Sequence, residues 1–493
     1  MKRVFAFAAL VLGASAFNAA SFAAAGVRSI KLVPIKSINT AVTMIAAKRH
    51  GSALPGPIEL PGLGAPQFLL DNVILQNPLA PILIDYRCRY GDIFTIKTGP
   101  VRQVWVCDEA MVSEMMAMDE CSGRSQLPDG NTPFGKNFLF LTRDPLRAKP
   151  IRQQQRQWLA ANAGDKEVRA AVQSIELELF SAIDDAMACG TCKGAAWPAE
   201  QVSTALLGAL LGVFAGEQLA SSVSMGERSE LLSCLSGYRT GRESQMRVGF
   251  GAAAKRQTAP PNPLATKPRT KLDYANQVRS MLLDVLGRSG RTAAACEEFL
   301  PLLVSACAGG GELFPILLQW IVRRLALEPE LQATIRQELT KSGQPYGATL
   351  PRVLSEALRQ CPYSLAVGPP RKVLATFDFR GFQVPEGSLV FTMHPGVGRN
   401  GPLPPLDKAT ADTKGKERAM NMFGAGARSC TSAETSLGIL SSALAALIGR
   451  YEITIADAAV NEELLMRYKS DDAFLLPEVE VPLAFRVIAK TSE

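Results

Sequence analysis

Apolar positions change their period along this chain. From Ala80 to Met116 the stretch APILIDYRCRYGDIFTIKTGPVRQVWVCDEAMVSEMM reads as a helix, a turn, two strands and a helix. The runs IFTIKTG and RQVWVCD flank a Gly-Pro turn, which predicts a hairpin. From about Ile151 to Gly251 apolar residues recur at helical spacing with few strand signals. The Pro-rich stretch QTAPPNPLATKPRTK, Gln257 to Lys271, predicts a loop inside one domain. Helical patterns resume over Ala294–Leu327 and Pro329–Leu339, and again around Ser355. The segment KVLATFDFRGFQVPEGSLVFT returns to short strands, and no internal repeat is present. A small sheet near each end with helices between predicts a mainly α (α+β), helix-rich single domain.

Composition narrows the function classes. The 493 residues are 47% hydrophobic and 20% charged, which allows a large core. Lys2, Arg3, Arg28, Lys31, Lys36, Lys48 and Arg49 precede Glu59, the first acidic residue. Those seven account for the whole excess of 53 basic over 46 acidic residues, so the body is neutral. A nucleic-acid binder would carry a basic stripe, and none is present. His50 and His394 are the only histidines, which argues against His-rich zinc sites and His-based triads. Ten cysteines in such a length are too sparse for a disulfide scaffold. CGTC, with Cys189 and Cys192, is the only CxxC and has no second pair, so it reads as a loop between helices.

The N-terminus carries targeting features. MKRVFAFAALVLGASAF has a basic start, an apolar run and small residues before Phe17, so residues 1–16 are expected to be a signal peptide. Residues 17–58 are Ala- and Ser-rich, basic and acid-free, a transit-peptide-like leader to a domain over 59–493. The pair resembles the bipartite plastid presequence of algae with complex plastids, which implies a plastid location. The alternative is a retained ER anchor over Phe5–Gly26, with an alanine-rich rather than leucine-rich span.

FGAGARSC, Phe423 to Cys430, is the main candidate for chemistry. Gly424 and Gly426 permit a tight backbone bulge. The following TSAETSLGILSSALAALIG predicts an amphipathic helix, and Thr431 with Glu434 has capping-box spacing. Cys430 at that helix N-terminus would favour a thiolate suited to a metal. Arg428 is close enough in sequence to meet an acidic cofactor edge. A buried structural cysteine is the competing reading of this segment alone.

Three distant segments bear on that choice. Glu356 and Arg359 in SEALRQCPYS are three apart on one helix face. PPRKVLATFDFRGFQVPEGSLV follows, and Cys430 lies 74 residues after Glu356. ACAGGGELFPILLQWIVRRLALEPELQATIRQEL is the long helix and its successor. Together these resemble the cytochrome P450 family: FGxGxRxC at the haem, ExxR before it, a strand pair after ExxR, a central helix, and a first hairpin like RYGDIFTIKTG. The resemblance runs from about Leu60 to the C-terminus and is weakest from Ile151 to Lys271.

The resemblance implies a cytochrome P450 fold around haem b (iron protoporphyrin IX), with Cys430 as the axial ligand of the iron. It implies that Arg371, Arg428 and Arg152 hold the propionates, with Phe423 and Gly424 in the cofactor-binding loop. Glu356 and Arg359 would be structural, and Ala308 to Gly311 would line the distal pocket. Glu312 would be the proton donor, its pKa raised by burial. The implied activity is monooxygenation of an apolar small molecule, such as a carotenoid, terpenoid or fatty-acid derivative. Electrons would come from a partner: ferredoxin in a plastid, a reductase in the ER with peripheral membrane association.

Several positions depart from the family. Leu313 stands where an alcohol assists oxygen chemistry, and leucine donates no hydrogen bond. Pro315 removes an N–H facing the carbonyl of Gly311, so a kink is expected. Ser432 replaces a glycine, and Ala148 replaces an aromatic residue if Arg152 is the family's arginine. Neither PLPPLDKATAD nor KGKERAMNM fits the segment that supplies the third member of the Glu–Arg brace. Leu313 thereby admits a peroxygenase or hydroperoxide-rearranging enzyme, and a non-enzymatic haem-binding protein is the remaining alternative.

Overall fold

The computed structural model describes residues 53–488 except 61–63, 75–78, 125–133, 135–144, 190–196, 217–220, 247–270, 289, 342–345, 364–368, 395, 398–402, 407–422, 458, 472–473 and 480. The leader up to residue 52, nearly all of the Pro-rich loop, Cys192 of CGTC and most of the stretch before the cysteine loop lie outside the described residues.

The chain is helix-rich with small sheets. The main helices are α1 (Leu79–Tyr90), α2 (Glu109–Ala117), α3 (Pro145–Asn162), α4 (Asp165–Gln173), α5 (Glu176–Cys189) and α6 (Ala199–Ala215). They continue as α7 (Met225–Met246), α8 (Lys271–Arg288), α9 (Ala293–Ala326), α10 (Pro329–Lys341), α11 (Thr349–Gln360) and α12 (Ala433–Arg450). The strands are β1 (Ile93–Thr98), β2 (Val101–Val106), β3 (Gly123–Arg124), β4 (Arg371–Lys372), β5 (Phe377–Phe379), β6 (Phe382–Val384) and β7 (Leu389–Thr392). Four more follow α12: β8 (Tyr451–Ile455), β9 (Tyr468–Asp471), β10 (Phe474–Pro477) and β11 (Leu483–Val487).

The predicted hairpin forms, with Thr98 opposite Val101. It does not remain a separate N-terminal sheet. β2 pairs in parallel with β7, and β7 pairs with β4, giving the order β1-β2-β7-β4-β3. Gln103 to Val106 of β2 are buried on both faces, as a strand inside a sheet is, and β7 covers the open edge of β2. β5–β6, β9–β10 and β8–β11 are separate two-stranded ladders.

Helix α9 is the axis of the main core. Its N-cap Thr292 accepts from the backbone N–H of Ala295. Trp320, Ile321, Val322 and Leu325 in its last turns are fully buried. Trp320 Nε1 donates to the carbonyl of Ala357 on α11 at 2.6 Å, so this large side chain also satisfies its one polar atom. Pro301 and Pro315 lie inside α9, and the helix runs without interruption through both. Pro315 therefore does not end the helix. One missing backbone bond per proline is tolerated because the buried face of α9 holds the helix against its neighbours. α9 is long and apolar enough to cross a membrane, but two thirds of its most apolar window is buried in this core.

Candidate active site

The cysteine loop is closed by its own backbone. Cys430 N–H donates to the carbonyl of Phe423 at 2.6 Å, and Gly426–Arg428 forms a single 3-10 turn. Gly424 and Gly426 have φ of +72° and +64°, a region that favours glycine. At Gly426 there is a second requirement: a Cβ would sit 2.3 Å from the carbonyl oxygen of Met116. The loop therefore rests on the C-terminal turn of α2 in direct backbone contact.

The expected capping box is absent. α12 begins at Ala433 behind Ser432, whose side chain makes no cap bond. The helix starts too late for Thr431 to cap it. The Thr431 hydroxyl instead donates to Gln155 Oε1 at 3.2 Å, tying the loop to α3. Cys430 remains directly before the helix N-terminus. Its thiol is exposed, with Sγ 3.4 Å from Ser432 Oγ.

The thiol opens onto a cavity of about 250 Å³. One wall is the cysteine loop with Phe423, Gly424, Arg428 and Cys430. The wall also includes Leu210 and Phe214 of α6 and Leu302, Ala306, Gly309, Gly310, Leu313 and Phe314 of α9. Gly309 has nothing within 4 Å of where a Cβ would stand. At Gly310 a Cβ would lie 2.7 Å from Leu210 Cδ1, so this glycine permits close packing of α9 on α6. Ala308, Gly311 and Glu312 are not among the described wall residues, whereas Leu313 is.

Four arginines gather at one end of the cavity: Arg124, Arg152, Arg371 and Arg428, all buried. Arg371 Nη2 donates to the carbonyl of Ala425 at 3.0 Å, and Arg428 Nε to that of Ser122 at 2.8 Å. Arg124 Nη1 donates to the carbonyl of Pro369 at 2.7 Å. Arg152 Nη2 and Arg371 Nη1 are buried and have no hydrogen-bond partner among the described residues. Burial, with Arg428 and the other arginines nearby, brings both Arg152 and Arg371 down to about 10. No Asp or Glu is among the described wall residues. A buried cation without counter-charge is costly, so Arg152 and Arg371, which have no carboxylate partner among the described residues, make this part of the wall suited to an anion.

Arg124 is a site residue that sequence reasoning missed. It stands opposite Arg371 in the β3–β4 ladder, so both side chains leave the same face. Directly opposed like charges are unfavourable in a sheet unless something neutralises them. The dipeptide Gly-Arg of β3 carries no local signal of that pairing. His394 was also missed. It is fully buried on the cavity wall, and its Nδ1 accepts from Gly396 N–H at 3.1 Å. Burial holds its pKa down at about 4.

Glu356 and Arg359 meet on α11, away from the cavity wall. Arg359 Nε and Nη2 donate to the two carboxylate oxygens at 2.8 and 2.5 Å, a bidentate pair. These residues fit a haem well. Cys430 would supply the sulfur ligand, the apolar wall residues would pack on the ring, and the guanidinium groups would take its carboxylates.

Comparison with known proteins bears on this site. No family model matches the chain. Cytochrome P450 71B8 of Arabidopsis thaliana is 23% identical over 236 residues, 43% of this chain and 45% of that protein. Strychnine-11-hydroxylase of Strychnos nux-vomica is 24% identical over 209 residues, covering 38% and 40%. Cytochrome P450 734A5 of Oryza sativa subsp. japonica is 28% identical over 204 residues, covering 37% and 36%. The chain thus spans less than half the length of the curated relatives it matches. Partial as they are, these matches and the helix-rich fold with its small sheets support the cytochrome P450 family for this chain.

Proposed function

We propose that this protein is a haem-thiolate oxidoreductase that hydroxylates or epoxidises an apolar small molecule. The observation that carries the reading is the cavity itself. Cys430 lies on its wall, and Arg152 and Arg371 on the same wall each have a buried guanidinium nitrogen with no partner among the described residues. In this reading Cys430 binds the iron of haem b, and Arg124, Arg152, Arg371 and Arg428 hold the propionates. The haem supplies activation of dioxygen when it is bound.

This chain's own residues would do the rest. Leu210, Phe214, Leu302, Ala306 and Phe314 would exclude water and hold an apolar substrate, of carotenoid, terpenoid or fatty-acid type. Glu312 remains the proposed proton source; with Leu313 on the wall and Glu312 off it, a proton from Glu312 would need a relay. The substrate would therefore sit against leucine where the resemblance leads one to expect an alcohol.

Electrons would come from an acidic carrier. Next to the site lies a groove whose walls include the exposed Lys149 and Arg156 and the half-buried Lys372, with Asp119 as the one acid on its described walls. Leu146 and Leu374 stand exposed there, 81% and 42%, and would give the contact an apolar centre. With a plastid leader the carrier would be ferredoxin; with an ER anchor, a reductase.

Leu313 favours a second reading, a peroxygenase or hydroperoxide-rearranging enzyme that needs no reductant. The test is turnover of the purified holoprotein under two regimes. Product with dioxygen and reduced ferredoxin supports the first reading. Product from a lipid hydroperoxide without reductant supports the second. A loaded protein that turns over in neither regime contradicts both.

A further inference from the structure

The Glu356–Arg359 pair is the middle of a longer polar chain. Glu356 Oε1 also accepts from Gln360 Nε2 at 2.7 Å. Gln360 is fully buried. Its Nε2 reaches the carbonyl of Pro404 at 2.9 Å, and its Oε1 accepts from Arg324 Nε on α9 at 3.3 Å. Arg324 is 1% exposed. Its Nη2 donates to Glu328 Oε1 at 3.0 Å and to the carbonyl of Pro404 at 3.2 Å. Glu328 in turn accepts from the backbone N–H of Leu406 at 3.3 Å. Arg324 on α9, Glu328 just past its end and Gln360 on α11 thus hold Pro404 and Leu406 in the short segment that precedes the cysteine loop.

The chain also runs the other way. Arg359 Nη1 lies 3.7 Å from Glu109 Oε2, an ion pair to the first turn of α2. The last turn of α2, at Met116 and Ala117, is the surface on which Gly426 rests. A movement of α2 would therefore be felt by the loop that presents Cys430, because backbone packed on backbone cannot yield separately.

We infer that Arg324 and Glu109 are positioning residues that complete the brace behind Cys430. Arg324 acts through Gln360 and Pro404, and Glu109 acts through α2 and Gly426. A buried guanidinium is tolerable only when its donors are satisfied, and here a glutamine, a carboxylate and a carbonyl meet them. The inference rests on the reading of Cys430 as the haem ligand.

The experiment follows two signals during heating of the reduced, carbon monoxide-bound holoprotein. One is the red-shifted Soret band of thiolate-ligated haem; the other is helical content by far-ultraviolet circular dichroism. The variants are Arg324→Leu and Glu109→Ala, with Arg324→Lys and Glu109→Gln to give the same readout should the first pair not fold. Arg228→Leu is the control, since it breaks another buried ion pair, to Glu178, outside this network. The expected result is loss of the thiolate band in the Arg324 and Glu109 variants at temperatures where helical content is still native. In Arg228→Leu both signals should fall together. If band and helix are lost together in every variant, the two residues are merely structural and the inference is overturned. Wild-type holoprotein without the band would instead sink the reading of Cys430, a distinguishable failure.

Discussion

Two glycines four residues or more before Cys430 share a backbone conformation and differ in their surroundings, which makes them a matched test of the cysteine loop. Alanine at either position would sit at positive φ, which costs roughly 1–2 kcal/mol for an L residue. At Gly424 that is nearly the whole cost, since the nearest atom to a new Cβ is Arg371 Nη2 at 3.5 Å. At Gly426 the Cβ would also stand 2.3 Å from Met116 O and 2.9 Å from Ala117 Cα. Ordinary contact lies at 3.4–4 Å, and the obstacle is backbone rather than a swinging side chain. Overpacking of this kind adds about 1–3 kcal/mol, so Gly426→Ala is expected to cost about 2–5 kcal/mol in total. Part of it would be relieved by lifting the loop off α2. The assay is urea unfolding of the holoprotein together with its reduced carbon monoxide spectrum. Gly424→Ala should show the smaller loss and keep the thiolate band. Gly426→Ala should show the larger loss and a reduced band. Equal effects at the two positions would refute the claim that the loop is seated on α2.

Further predictions concern the cavity walls. His394 is held neutral, with its pKa lowered to about 4 against 6.5 for the exposed group. Between those values the unfolded chain binds a proton that the folded chain does not, so stability falls on acidification from about pH 6.5 to 4. The loss is about 3 kcal/mol, and His394→Gln should flatten that stretch of the denaturation profile. Arg371→Leu should weaken haem retention, measured as transfer to apomyoglobin, and should raise the stability of the haem-free protein by removing an unpaired buried cation. Leu313→Thr places a hydroxyl on the wall. If dioxygen is the oxidant, the share of consumed reductant recovered in product should rise; no change would favour the hydroperoxide reading.

The parts legible in the sequence are those whose cause is local. The period of α9, the turn between β1 and β2 and the glycine-rich cysteine loop are each specified by residues within a few positions. So is the Glu356–Arg359 pair, which needs only one helix turn. The parts that escaped depend on distant neighbours. Strand alternation tells which face is buried but not which strand lies alongside, so the parallel pairing of β2 with β7 was not foreseen. Arg124 became a site residue only through its register with Arg371. The capping box failed because α12 starts only at Ala433, with Thr431 outside it and tied to Gln155, far away in sequence. That α9 continues past Pro315 likewise depends on packing against distant neighbours.

The most direct measurement of the central claim is the carbon monoxide difference spectrum of the reduced holoprotein, taken for wild type and for Cys430→Ala. Wild type is predicted to show the strongly red-shifted Soret band of a thiolate-bound haem, and Cys430→Ala to lack it. A wild type without that band, or a Cys430→Ala protein that keeps it, would contradict the account.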